Sequence, residues 1–487
     1  RSRRVGTVRR MVTVTRTVLV DDLDGSQDDV HTVRFSLDGT DFEIEWRSVE
    51  ELMAVEATDP LLRSAEIALA SGLYTKETLL AKYEAIRAKC FAAADEADRR
   101  PKLVTLEEVV APLAPYTPDK VAAEAVRADY AAQREKVFGG AEKLPEKQAP
   151  RHLAIQINNA LHDLFCKYPE ALLFGEDVAQ KGGVYTVTKG LFKNFSGRRV
   201  FNTLLDETMI LGLAQGYANM GMLPLPEIQY LAYFHNACDQ IRGEACSLQF
   251  FSNGQYSNPM VMRIASLGYQ RGFGGHFHND NSITALRDIP SLVVGCPSRG
   301  DDAATMLRTL TALAKVDGRV CAFLEPIALY MTKDLYEAGD GQWLTSYPPP
   351  DQAMPLGEER VYVPEARDLV IFTFGNGVPM SLRAAREIEK TRGWKVRVVD
   401  LRWLQPLNTA AIVRHAGECA RIIVVDEGRR SAGVGEGIIT AVVEGGHGDK
   451  PLQRVVGADT YTPLAGAAFA VIPADADIVA AAARLPA

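Results

Sequence analysis

GEDVAQKGGVYTVTKGL (residues 175–191) and, seven residues on, RVFNTLLDETMILGLAQGYANMGMLPLPEIQY (residues 199–230) decide how this chain reads. One acid, Glu207, opens a glycine- and alanine-rich helical segment. That segment runs into a strand pattern, LPLPEIQY, that ends in an aromatic. The same rhythm spreads in both directions. ALLFGED, PMVMRIA, SLVVGCP and VCAFLEP are short apolar runs separated by helical patterns. Such alternation predicts a mostly parallel sheet covered by helices. DLVIFTFGNG, KVRVVDL, RIIVVDEG and PLQRVVGA repeat it in smaller form over residues 357–480. The fold class is therefore α/β, with one domain over 151–346 and a second over 347–487.

The N-terminal third reads differently. Residues 47–150 predict a helical segment and linker. Asp59-Pro60 reads as an N-cap with proline in the first turn, and Gly72 as the stop. Thr75 caps a helix on which Leu79, Tyr83, Ile86 and Cys90 share a face. Thr117-Pro118 starts another, and GGAEKLPEKQAP (139–150) reads as a connecting stretch. Residues 11–46 predict a short β module: MVTVTRTVLV, then VHTVRFSL, an Asp38-Gly39 turn and DFEIEW. Residues 1–10 carry Arg1, Arg3, Arg4, Arg9 and Arg10 without an acid and read as a basic tail. The whole chain carries a net charge of −8, which supplies no general attraction for nucleic acid. Seven scattered cysteines without a C-x-x-C pair suit a reducing compartment, so the expected location is cytoplasmic. No membrane span is expected.

Ordered markers run from residue 155 to about 480: Gly175-Glu176-Asp177, GGV at 182–184, RVFNT at 199–203, Glu207, EIQ at 227–229, Asp239-Gln240, His278, FLEP at 323–326 and VVDLRWLQP at 398–406. In them the chain resembles the beta subunit of the thiamine diphosphate-dependent first component of the 2-oxo acid dehydrogenase complexes. The resemblance implies a pyrimidine-binding domain followed by a transketolase-like C-terminal domain. Residues 47–138 resemble, more weakly, the helical tail of the alpha subunit, as in the C-terminal part of a fused alpha–beta chain. VTVTRTVLVDDLDGS and VRFSLDGTDFEIEW resemble the N-terminal oligomerisation domain of the actinobacterial nucleoid-associated, DNA-bridging protein. Its DNA-reading domain has no counterpart here, so nucleic acid is not expected as a partner. The chain reads as a junction of two unrelated proteins.

The resemblance also assigns roles. Glu207 stands where the family hydrogen-bonds the aminopyrimidine ring of thiamine diphosphate; read alone, it is a carboxylate favoured by a helix N-terminus. Ile210 to Ala214 would give its pocket apolar walls. Tyr233 stands where an aromatic stacks on that ring; otherwise it is a core aromatic. Ala232 and His235 depart from the family pattern beside it. His278, rather than His276, aligns with the functional histidine, which can donate a proton or help pass the acyl group; Asn279 follows it where the family has serine. Glu176 matches an acid of the tunnel joining two active sites, or is a strand-end acid capping a turn. Asp239 and Asp400 read as structural.

A magnesium-binding Gly-Asp-Gly needs an Asn-Asn roughly 25–30 residues on, the spacing the resemblance implies. Gly339-Asp340-Gly341 has no such partner, and Asn158-Asn159 lacks the preceding motif. No metal ligands are assigned in this chain, and magnesium is expected from an alpha-type diphosphate-binding domain. The implied function is oxidative decarboxylation of a 2-oxo acid with acyl transfer to lipoamide, inactive without that domain. Implied partners are the alpha-type domain, a further copy in a dimer or heterotetramer, and a lipoyl acyltransferase core. Alternatives are a fragment of a transketolase-like or deoxyxylulose phosphate synthase-like enzyme, or a self-associating nucleoid module with an α/β passenger.

Overall fold

The computed structural model describes residues 32–37, 40–45, 53–54, 56–270 and 274–487. The basic tail and the strand expected at MVTVTRTVLV lie outside the described residues, as does the turn at 38–39. Two compact units divide between Leu103 and Val104.

In the first unit, β1 (Thr32–Leu37) and β2 (Thr40–Glu45) pair antiparallel, with Leu37 opposite Thr40. Helix Pro60–Ala70 starts where Asp59 accepts the Leu61 N–H at 2.6 Å. Helix Lys76–Arg99 starts where Thr75 accepts the Thr78 N–H at 3.2 Å. Neither helix has a buried residue.

The second unit holds two sheets. The first contains β3 (Ala171–Gly175), β4 (Val200–Asn202), β5 (Leu223–Ile228), β6 (Met260–Ser266), β7 (Val293–Gly295) and β8 (Val320–Pro326). The second contains β9 (Arg360–Tyr362), β10 (Leu369–Thr373), β11 (Val396–Asp400), β13 (Ile422–Arg429) and β14 (Leu452–Gly457). β12 (Trp403–Gln405) follows β11 in the chain yet pairs antiparallel with β7. The orders are β12-β7-β8-β6-β5-β3-β4 and β14-β13-β10-β11-β9. Among the described strands of these two sheets, only β12 and β9 run antiparallel to their neighbours. β6 and β8 are buried along their whole length, which is why they read as continuous apolar runs rather than alternating ones.

Residues 104–150 belong to this unit. Thr117, at the head of helix Pro118–Ala125, bonds Asp317 through its N–H (2.9 Å) and its hydroxyl (2.6 Å). Arg134, on helix Ala131–Phe138, is 4 % exposed and reaches Asp163 at 2.6 Å and Glu146 at 2.7 and 2.8 Å. The connecting stretch 139–150 is thereby fastened down. The proline-rich stretch after it is fastened likewise: Tyr347 donates to Asp163 at 2.6 Å, and Arg308 donates to the carbonyls of Pro348 and Pro349. The stretch 465–484 is long and apolar enough to cross a membrane. Its helix Asp475–Arg484, however, buries Ile478, Ala481 and Ala482 in the core.

Candidate active site

The carboxyl ends of parallel strands are where an open α/β sheet leaves a crevice. Here the chain leaves β3, β4, β5 and β6 carrying Glu176, Glu207, Tyr230 with Tyr233, and His278 respectively. The sharp exit from β3 is specified by glycine. Gly175 has φ +153°, and a Cβ there would lie 2.7 Å from the Glu227 carbonyl oxygen.

Glu207 is the first residue of helix Glu207–Asn219, whose start is capped by Asp206 accepting the Met209 N–H at 3.1 Å. The side chain is only 7 % exposed. Asn236 donates its amide to Glu207 Oε2 at 3.2 Å. Thr208 holds Asn236 in place by donating to its carbonyl at 2.7 Å. Of the segment Ile210 to Ala214, Ile210, Leu211 and Ala214 are fully buried, while Leu213 is half-buried and Gly212 exposed.

Glu176 is 6 % exposed. Burial, then the charges of Glu207, Asp177 and Glu227, push its carboxyl up to about 7. Glu176 can thus keep a proton near neutrality. The Tyr233 phenol is pushed up by burial, then by Tyr230 and the charges of Glu176 and Glu207. Tyr233 therefore shares one electrostatic environment with both acids.

His278 joins this group through aromatic edges. Its ring lies 4.7 Å from Tyr230 and 6.5 Å from Tyr233, both edge to face. The two tyrosines are 5.6 Å apart, also edge to face. His276 turns away and packs against Tyr461 at 5.0 Å. With His235, Arg429 and Asp459 it lines a cleft of about 850 Å³ beside Ala232. The structure thus brings Glu176, Glu207, Tyr233 and His278 together and leaves His276 and His235 at the cleft.

Several participants escaped the sequence reading. Tyr185 donates to the Tyr230 hydroxyl at 3.1 Å and receives a bond from Gln270 at 2.6 Å. Under the site, Arg263 is 1 % exposed and bonds Glu227 at 2.6 Å and Glu325 at 3.0 Å, while Tyr330 donates to Glu325 at 2.6 Å. An arginine inside the apolar run MVMRIA was the available signal, because a buried charge requires partners. Asn236 left no signal, because its contact with Glu207 joins two helices that are separate in sequence.

Asp340 does not form a metal loop. Its carboxylate accepts the N–H groups of Leu335, Tyr336, Glu337 and Gln342, and these hold it far below its ordinary range although burial opposes them. Asp334 accepts the N–H groups of Gly339 and Gly341. Among the described residues no cluster of three or more metal-type side chains assembles.

A buried carboxylate beside a protonated acid and aromatic rings can accept an N–H from a flat nitrogen heterocycle and pack against its face. Comparison with known proteins identifies the two α/β domains. Residues 152–333 match the transketolase pyrimidine-binding domain, 359–477 the transketolase C-terminal domain, and 11–51 the Lsr2 dimerization domain. The pyruvate dehydrogenase E1 component subunit beta of Staphylococcus aureus is 34 % identical over 330 residues, covering 66 % of this chain and 94 % of that protein. The Staphylococcus epidermidis subunit is 33 % identical over the same length. A split-gene transketolase, described as an inactive beta4 tetramer, shares the fold with a TM-score of 0.53 at 18 % identity, covering 69 % of this chain and 98 % of that one. With both of its α/β domains matched and its relatives covered almost end to end, the chain belongs to the family of pyruvate dehydrogenase E1 component beta subunits, thiamine diphosphate-dependent enzymes of the transketolase fold.

Proposed function

We propose that this chain is the beta-type half of a 2-oxo acid dehydrogenase, with residues 151–346 as its pyrimidine-binding domain and 347–487 as its C-terminal domain. The observation that carries this reading is Glu207, buried at a helix start with one oxygen bound by Asn236 and with Glu176 and Tyr233 beside it. The residues fit the aminopyrimidine half of thiamine diphosphate. Glu207 would accept a ring N–H, and Tyr233 would pack on the ring face. When bound, the cofactor supplies a carbon nucleophile and a sink for the electrons released with carbon dioxide. Glu207 would hold the ring of that cofactor through a charge-assisted hydrogen bond. His278 holds a proton on its imidazole for the reacting carbonyl or for acyl transfer to lipoamide. Glu176, kept protonated near neutrality, can relay a proton across the site.

The diphosphate and its magnesium would be held by an alpha-type partner domain in the cytoplasm, within a heterotetramer that delivers acyl groups to a lipoyl acyltransferase core. The surface beside Glu207 supports association. Gly212 and Gly216 are exposed on its helix, flanked by the exposed Leu204, Leu205, Met209 and Met220. Such a cluster marks an interaction face.

The test is reconstitution. The chain alone should bind the cofactor poorly and turn over no 2-oxo acid. An alpha-type partner should restore both, and Glu207→Gln should abolish turnover while leaving assembly intact. Robust turnover by the chain alone would overturn the proposal. A second reading, a self-associating nucleoid module, is favoured by the β1–β2 hairpin and the match at 11–51. DNA bridging that persists in moderate salt would support it.

A further inference from the structure

The segments Gly268–Gln270 and Gly274–Ser282, between β6 and helix Ile283–Arg287, carry His276 and His278. Their backbone is tied to the second sheet, and the ties converge on one residue. Glu427, near the end of β13, is 4 % exposed. Its main-chain oxygen accepts the Asn281 amide at 2.7 Å. Its carboxylate accepts the Asn376 side-chain amide at 3.0 and 3.1 Å and the backbone N–H groups of Gly268 and Asn376. Gly268 passes the constraint on: its carbonyl accepts from Asn279 at 2.8 Å, and Asn279 Oδ1 accepts the Gly274 N–H at 2.9 Å. Gly274 in turn contacts His278, whose Nδ1 lies 3.4 Å from its carbonyl oxygen. Asn279 is fully buried, so the middle of this relay is shielded from water.

From this chain of bonds we infer that Glu427 is a positioning residue, which fixes the orientation of the His278 imidazole from the C-terminal lobe without touching the cofactor or substrate. The inference rests on the proposed role of His278, but the constraint on its loop exists whether or not that role holds.

A buried acid bound this way acts as a shaped acceptor rather than as half of an ion pair: among the described residues no cationic side chain bonds its carboxylate. Burial, opposed by the Asn376 hydrogen bond and reinforced by the Asp426 charge, pushes the carboxyl up to about 8, so it is largely neutral at physiological pH. A glutamine is close to a neutral glutamic acid in shape and keeps a carbonyl acceptor. A leucine keeps the volume and removes the acceptor.

The experiment compares Glu427→Gln, Glu427→Leu and Asn376→Ala in the full chain by hydrogen exchange, with and without an alpha-type partner. In Glu427→Leu, amides of 274–282 should exchange about tenfold faster, the equivalent of one lost buried hydrogen bond. Amides of β10 and β11 should be unchanged, and Glu427→Gln should match the wild type. Asn376→Ala frees the carboxylate from the other side and should accelerate the same peptide, which keeps the test decisive if the leucine variant fails to fold. In the reconstituted enzyme, Glu427→Leu should lower kcat at constant KM and add nothing in a His278→Ala background. Unchanged exchange in 274–282 in folded variants, or acceleration spread evenly over the second sheet, would overturn the inference. Accelerated exchange with no effect on turnover would instead count against the role of His278 and leave the positioning of its loop standing.

Discussion

Replacing Arg134 with methionine tests whether residues 104–150 are a structural part of the α/β unit. The guanidinium makes four charge-assisted bonds: 2.6 and 3.3 Å to Asp163, and 2.7 and 2.8 Å to Glu146. Removing one member of a buried ion pair costs about 3–5 kcal/mol, because the remaining charge stays desolvated. Two features place this case at the lower end. Asp163 keeps the Tyr347 hydroxyl at 2.6 Å and has Arg308 at 3.6 Å, and the Glu146 side chain is 19 % exposed and can hydrate. The expected loss is about 3 kcal/mol, or roughly a hundredfold in the opening equilibrium of the segment. Hydrogen exchange over 118–148 reads it directly, and urea unfolding followed by tryptophan fluorescence reads any global share. Adding Asp163→Asn to Arg134→Met should recover about half, because a neutral amide tolerates the loss and still accepts from Tyr347. A loss below about 1 kcal/mol, or a double variant no better than the single one, would show that the network does not hold the segment.

Two further outcomes follow from the buried and the loop-bound carboxylates. The Glu176 carboxyl stands at about 7 in the folded chain against an ordinary 4.5, so the native state binds the extra proton. Its contribution is intact below pH 4.5 and is lost as pH rises to 7. Glu176→Gln should therefore flatten the stability–pH curve between those values, measured by denaturation at several pH values; an unchanged slope would contradict the assignment. Asp340→Ala should speed amide exchange at 335–342, where its carboxylate is bound by four N–H groups, and leave magnesium dependence of the reconstituted enzyme untouched. A shifted magnesium requirement would restore Gly339-Asp340-Gly341 as a metal loop.

What the sequence disclosed follows the range of the interactions involved. The α/β class was legible because each strand announces itself by a local apolar run. Glu176, Glu207 and His278 could be picked out as markers in chain order, while their approach to Tyr233 and to one another is a matter of the fold. Tyr230 and Asn236 were not legible, because ring edges at 4.7 Å and an amide reaching Glu207 depend on how elements distant in sequence converge. Asp340 illustrates the reverse: a motif with the right letters folds into a closed turn whose own amides occupy the acid. The marker WLQP was visible, yet its strand pairing was not. Nothing local in Trp403–Gln405 specifies Gly295 and Val294 as its partners.

That borrowed strand has a mechanical consequence. Because β12 leaves the second sheet's territory to close the edge of the first, the two lobes are stitched by backbone bonds as well as by side chains, including Cys296 N–H to the Arg402 carbonyl at 2.7 Å. A hinge between them would have to tear a sheet. Relative movement of the lobes would therefore have to work against these backbone bonds. Severing the chain between them would not release two modules; it would expose β7 as an unpaired edge, the kind of surface that recruits other strands.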